Sequence, residues 1–176
     1  MFISGVAPMP DFVLPGTWMQ CPVGDIEREE HLLGLISRSR QGGEGIAAEM
    51  RRRLDRLRVA GGDQIFLRQD RPTLLTLTWP RTLPSPAIFA GHSAAIEALR
   101  AEAGGDATQV RSQQGFHIVR AARSDAVAES STYWIAHPAS ARTLVVDVTD
   151  YEGDRRRLAI YDSIIGLLSW KDTDTR

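Results

Sequence analysis

Apolar and polar residues alternate with a period of two over most of the segment between residues 115 and 151. Side chains of a β-strand point alternately to two faces, so this period predicts strands with one buried face. The connections between the alternating segments are only a few residues long, too short for parallel crossovers, and they predict an antiparallel meander. The three predicted strands are 115–122, 130–137 and 142–149.

Apolar residues recur with a helical period in other parts of the chain and predict amphipathic helices. Asp25 stands at the N-cap position of the first helix, which has an acidic first turn. Glycine pairs mark the ends of the first three helices. The predicted helices are 26–40, 44–59, 87–103 and a last helix that begins near residue 154. The remaining predicted strands are 12–15, 18–22, 64–68 and 73–79, and 108–112 is a candidate short strand.

Strands grouped in runs, with helices between the runs, are typical of the α+β class. The sequence therefore predicts a central antiparallel sheet of about six strands, packed by helices on one face as an α/β sandwich. The 176 residues are enough for a full core and predict a single domain over residues 1–176. The helix pair at 25–60 is a candidate insertion into a smaller core.

The composition is that of an ordinary globular protein, with 43% hydrophobic and 24% charged residues. The net charge of −1 gives no overall field that favours nucleic acid or an anionic membrane. No stretch approaches the roughly 20 apolar residues of a membrane span, and the start of the chain lacks the basic region of a secretory signal. These features predict a cytoplasmic protein without a membrane span. The preference for arginine over lysine, with Lys171 the one lysine, indicates a bacterial source.

Several segments resemble sequence features of the Mog1/PsbP-like fold family. Residues 12–18, Phe-Val-Leu-Pro-Gly-Thr-Trp, are similar to that family's Phe-x-x-Pro-x-Gly-Trp opening. Two further features are similar to those of the family. One is a mid-chain hairpin with a proline-rich connection to a helix, and the other is the strand 132–136 followed by the strand 144–148. The closing segment 160–170 is similar to the family's Phe-Asp-x-Ile-x-x-Ser-Leu ending. The resemblance covers most of residues 10–171 when the helix pair at 25–60 is set aside.

This resemblance implies an α/β sandwich with a binding or assembly role. Members of the family include a partner of the Ran GTPase, extrinsic subunits of photosystem II and mycobacterial lipoproteins. The family has no shared catalytic motif that could be carried over to this chain. This sequence departs from the photosynthetic and lipoprotein members because it shows no transit or lipoprotein signal, so the resemblance does not imply those roles.

The four histidines are the residues best suited to catalysis, but their spacing forms no known motif. No two have the i, i+4 spacing of a helical metal pair, and Cys21 has no Cys-x-x-Cys partner, so no metal or other cofactor is predicted. His92 falls on the apolar side of its predicted helix, which favours a core role. His117 and His137 fall on adjacent predicted strands and could meet across the sheet, although structural or surface roles are favoured. A nucleophilic triad is disfavoured because no Gly-x-Ser-x-Gly elbow is present.

The candidates for partner binding are two tryptophans and an arginine-rich helix. Trp79 and Trp134 are candidates because tryptophan is enriched at interface hot spots, although core packing is the simpler explanation for each. Trp134 is predicted to lie on the sheet face that has no helices. Arg52 and Arg56 belong to a run of five arginines at 51–58 and are predicted to face solvent.

The leading hypothesis is a non-enzymatic protein-binding or assembly module whose protein partner is unknown, with a homodimer also open. One alternative is a small hydrolase-like enzyme that uses a histidine. The other is a secretion-system or nucleic-acid accessory protein that acts through the arginine-rich helix. Nucleic acid is disfavoured because no aromatic residues interleave the arginines.

Overall fold

Four helices and nine strands are present in the part of the chain that the computed structural model describes, residues 10–39, 42–68, 71–80, 91–124, 128–138, 142–151 and 155–170. The helices are α1 (Ile26–Ser39), α2 (Gly43–Ala60), α3 (His92–Ala103) and α4 (Arg155–Gly166). The strands are β1 (Pro10–Asp11), β2 (Trp18–Pro22), β3 (Gly62–Arg68), β4 (Thr73–Thr78), β5 (Thr108–Gln109), β6 (Ile118–Ser124), β7 (Glu129–Ala136), β8 (Thr143–Asp150) and β9 (Ser169–Trp170). Within this part of the chain, no helix combines the length and the apolar composition that crossing a membrane requires.

Seven of the strands form one antiparallel sheet in the order β2-β3-β4-β8-β7-β6-β5. The predicted α+β class, the hairpin β3–β4 and the meander β6–β7–β8 are confirmed. The short strand β5 adds a seventh member at one edge. The two remaining strands, β1 and β9, pair with each other and so bring the two ends of the described chain together.

Most predicted boundaries differ from the structure by one to three residues, and two differences are larger. Residues 12–15 form no strand; instead, the Phe12 ring packs against Phe66 with 5.8 Å between ring centroids. Pro15 cannot donate to a ladder, which explains why this segment does not extend the sheet. The third helix is described from His92 onward, and its predicted residues 87–90 lie outside the described residues.

Helices cover both faces of the large sheet, so the prediction of helices on one face only is wrong. Leu75 lies in a core cluster with Ile165 of α4. Its neighbour Leu74 points to the opposite face and packs in the cluster formed by α1 and α2. Farther along that second face, α3 packs Leu99 in a third cluster with Val119 of β6. The consecutive leucines of β4 are the sequence signal of a strand that is buried on both faces.

The α1–α2 pair connects the neighbouring strands β2 and β3 and is joined by a buried ion pair. The N-cap prediction is confirmed, because the backbone N–H of Arg28 donates to Asp25 Oδ1 over 3.2 Å. Glu29 is fully buried, accepts a 2.7 Å hydrogen bond from the Gly24 N–H and pairs with Arg58 of α2. This carboxylate therefore ties the start of α1 to the end of α2.

Gly43, the first residue of α2, lies against the backbone of α1. A Cβ atom at Gly43 would lie 2.3 Å from the carbonyl oxygen of Ile36, and backbone atoms cannot move aside as a flexible side chain can. We expect Gly43→Ala to destabilise the fold by about 1–3 kcal/mol, the usual cost of overpacking. A Cβ at Gly45 would meet nothing within 4 Å, so Gly45→Ala is the matched control.

Alanine at position 45 is expected to stabilise the protein by about 0.5–1 kcal/mol, because alanine is the better helix former. The two free energies of unfolding, measured by chemical denaturation, should thus change in opposite directions. Equal changes of the same sign would show that the helices are not in contact at Gly43.

Candidate functional site: a histidine cavity at one end of the sheet

A cavity of about 260 Å³ lies where the start of α3 meets the start of β6 and the end of β7. We call it the histidine cavity, because two histidines contribute to its wall. Its lining residues are Gly91, Gly115, Phe116, His117, Ala136, His137 and Pro138.

The pairing of β6 with β7 explains why His117 and His137 share one cavity. Ile118 is paired with Ile135 in the antiparallel register, so the residues just outside this pair are also neighbours. The backbone N–H of Ala136 donates to the carbonyl oxygen of His117 over 3.0 Å. The predicted pairing of the two strands is thereby confirmed, although His117 and His137 lie one residue outside β6 and β7 rather than on them. Both imidazoles are half-buried.

His92 is the first residue of α3 and is exposed, so its predicted core position is wrong. The His92 ring contacts the ring of His117, with 4.8 Å between centroids. Its Nε2 lies 3.1 Å from Nε2 of Gln109 on β5. A third imidazole therefore stands beside the cavity.

Aromatic rings surround His137 on the side of the C-terminal strand β9. The centroid of the His137 ring is 4.6 Å from that of Trp170 and 6.3 Å from that of Trp79. Phe116 contacts Trp170 with 6.1 Å between centroids. The guanidinium of Arg142 lies 4.8 Å from the centre of the Trp79 ring, a cation–π arrangement. This aromatic cluster fixes β9 and one wall of the cavity to the end of the sheet.

Burial keeps the imidazoles of the cavity neutral near pH 7. Two effects lower the pKa of His117 below its usual value: desolvation is the larger, and the interaction with neighbouring His92 is the smaller. Desolvation, followed by the charge of Arg142, lowers the pKa of His137 in the same way. A neutral imidazole has one donor and one acceptor nitrogen, so each can make directional hydrogen bonds to a ligand.

One imidazole nitrogen of the cavity has no hydrogen-bond partner. His117 Nδ1 is buried and unpaired among the described residues, as are the indole nitrogens of Trp79 and Trp170. Buried polar atoms are nearly always paired in folded proteins, so unpaired donors and acceptors clustered at one place favour a site that receives a ligand.

Among the described residues that line the cavity, none has a carboxylate that could orient an imidazole for acid–base catalysis. Within the described ranges, no group of three or more His, Cys, Asp or Glu side chains is arranged to hold a metal ion. These residues can therefore offer hydrogen bonds, aromatic surface and, on protonation, positive charge. Such a set is suited to binding a polar group.

The two tryptophans predicted to bind a partner have different environments. Trp79 is 4% exposed and lies in the core cluster behind His137, so its ring supports the cavity wall. Trp134 is half-buried and packs beside Leu99 under α3. The helix-free sheet face on which Trp134 was expected is covered, as described above. Direct contact of either ring with a partner stays a prediction.

The arginine run of α2 is paired with carboxylates along its whole length. The side chains of Arg52 and Arg56 are 68% and 71% exposed, and both pair with Glu49 of their own helix. The other pairs are Arg51 with Glu30, Arg53 with Asp147, and Arg58 with Glu29 and Asp55. Five carboxylates thus offset five arginines, and the run is not a bare positive surface.

Cys21 lies beside a second, wider cavity of about 630 Å³ at the outer edge of β2. The side chain is fully buried, and burial raises the pKa of its thiol, with Asp25 and Glu29 adding to the rise. A thiol with a raised pKa is a poor nucleophile at neutral pH. Cys21 is therefore a small core residue.

Comparison of the chain with models of protein families, with curated proteins and with solved structures found no match. The resemblance to the Mog1/PsbP-like family therefore stays a prediction.

Proposed function

We propose that this protein is a non-enzymatic binding module that takes a partner protein at the histidine cavity. The observation that supports this most directly is a set of buried polar atoms without described partners beside an aromatic wall, and one of these atoms, Nδ1, belongs to His117, which lines the cavity. A partner side chain that enters the cavity would pair this nitrogen and bury apolar surface against Phe116. Partly buried pockets of this kind are where binding energy is concentrated in protein interfaces.

The same geometry gives less support to the two alternatives. A hydrolase that uses a histidine commonly needs a carboxylate to orient the imidazole, and no carboxylate is among the described residues that line the cavity. An accessory protein that binds nucleic acid through α2 needs unpaired positive charge, whereas each arginine of the run pairs with a carboxylate. Exposed ion pairs are weak, but they cancel the local field that attracts phosphates.

The proposal is tested by capturing partners from a lysate of the source organism with immobilised protein. We expect the double variant His117→Ala/His137→Ala to lose the partner that the unaltered protein captures. The matched control is His31→Ala, which removes an exposed histidine of α1 outside the cavity. Far-UV circular dichroism of each variant checks that the fold is retained.

Two further variants examine the surfaces predicted from the sequence. Capture that survives in the double histidine variant but is lost in Arg52→Glu/Arg56→Glu or in Trp134→Ala would place the partner on α2 or α3 and overturn the cavity proposal. If the protein converts a component of the lysate, and does so only when His117 is intact, the non-enzymatic assignment would be contradicted.

A further inference from the structure

Positive and neutral groups surround the histidine cavity, and carboxylates are absent from its described lining. His117 and His137 line it, His92 touches the ring of His117, and Arg142 stands behind His137 on the Trp79 ring. The cavity also opens at Gly91, the N-cap of α3, where no side chain caps the helix. A helix N-terminus adds a partial positive charge. At neutral pH the positive character of the site therefore comes from Arg142 and the start of α3, and the imidazoles add to it when they are protonated.

The described carboxylates nearest in the chain to these groups are engaged elsewhere. Asp63 accepts the backbone N–H of Trp79 over 2.9 Å. Glu97 of α3 pairs with Arg100, and the carboxyl group of Glu102 is hydrogen-bonded to Thr143, the residue after Arg142, with burial raising its pKa. The acidic residues Asp172 and Asp174 lie outside the described residues, so the experiment below includes their neutral variants.

We propose that the histidine cavity binds a carboxylate side chain of the partner, and binds it more tightly as the pH falls. This inference rests on the proposed function, for which it names the group that is recognised. A cavity of about 260 Å³ has room for the end of a glutamate or aspartate side chain, but not for a large ligand. His117 Nδ1 would donate to the carboxylate and would then have the partner that the structure leaves open.

The direction of the pH dependence follows from the free site. The pKa values of His117 and His137 are lowered in the free protein, by burial first and by His92 and Arg142 second. A bound carboxylate favours the protonated imidazole and raises its pKa. Binding therefore takes up a proton, so the affinity is lowest above the pKa of the complex, rises as the pH falls between the two pKa values and is highest below the pKa of the free protein. A rise of one pKa unit corresponds to about tenfold in affinity.

The test uses the full chain and two blocked tripeptides, Gly-Glu-Gly and its neutral twin Gly-Gln-Gly, with sodium acetate as a third probe. Histidine side-chain resonances are followed by NMR at pH 7.5 and pH 5.5. We expect the glutamate peptide to shift the resonances of His117 and His137, to leave His31 unchanged and to bind about tenfold more tightly at the lower pH. The affinity for the glutamine peptide should be the same at both pH values.

His117→Gln should remove most of the pH dependence, because glutamine cannot be protonated, and Asp172→Asn/Asp174→Asn should leave it intact. Equal binding of the two peptides, equal shifts at all four histidines, or an affinity that does not change with pH would overturn the inference. If acetate shifts the resonances of His117 and His137 but the glutamate peptide does not, the cavity binds a free small carboxylate instead of a partner side chain. Partner capture that depends on the cavity, together with equal binding of the two peptides, would leave the proposed function standing and refute the carboxylate.

Discussion

Ile165→Ala is expected to lower the free energy of unfolding by about 3 kcal/mol, within the range found for large-to-small changes in packed cores. Ile165 is fully buried and belongs to the cluster in which α4 packs on β4, β7 and β8. Alanine would leave a cavity that the surrounding strands, which are hydrogen-bonded on both sides, cannot close. For a chain of this length, the loss should lower the Tm by about 6–12 °C.

The control for this prediction is Ile160→Ala on the same helix. Ile160 is 55% exposed, so its removal creates no cavity, and we expect a change within about 0.5 kcal/mol. Urea denaturation of both variants gives the two free energies directly. Equal losses for the two isoleucines would show that α4 does not pack on the sheet through the face that contains Ile165.

Glu29→Ala is expected to destabilise the fold by about 2–3 kcal/mol, less than the full cost of breaking a buried ion pair. The change removes the acceptor of the Gly24 N–H and leaves the guanidinium of Arg58 without its buried partner. The loss is reduced because the Arg58 side chain is 30% exposed and can turn toward water. The measurement is the midpoint of denaturation compared with that of the unaltered protein.

The neighbouring pair provides a matched control for Glu29. Glu30 also joins α1 to α2, through Arg51, but both side chains of this pair are about half exposed, 51% and 48%. Exposed pairs contribute little, so Glu30→Ala should cost well under 1 kcal/mol. A loss at Glu30 as large as that at Glu29 would mean that burial does not distinguish the two pairs and would contradict the packing of α1 on α2.

The sheet and the helices could be predicted from the sequence because period and turn residues act locally. The alternation from Leu144 to Val148 and the glycines after the helices were sufficient to predict the meander and the helix ends. The second covered face was missed because an alternating pattern draws attention to one face only. The leucines at 74 and 75 were the available signal, since adjacent apolar residues in a strand point to opposite faces.

The candidate site could be predicted only in part. That His117 and His137 are neighbours followed from predicted strand pairing, but His92 was assigned to the core because its helix was predicted to begin five residues earlier. The contact of Trp170 with His137 depends on the strand β9, which is two residues long and gives no periodic signal. The neutralisation of the arginine run also depends on tertiary contacts, such as that between Arg53 and Asp147 of β8.

The central claim is that the histidine cavity is the surface that receives the partner. Hydrogen–deuterium exchange at the imidazole C2 position, measured by mass spectrometry, reports the burial of each histidine separately. With the captured partner present, exchange should slow at His117 and His137 and stay unchanged at His31. Unchanged exchange at His117 and His137 in a complex that is demonstrably formed would contradict the account.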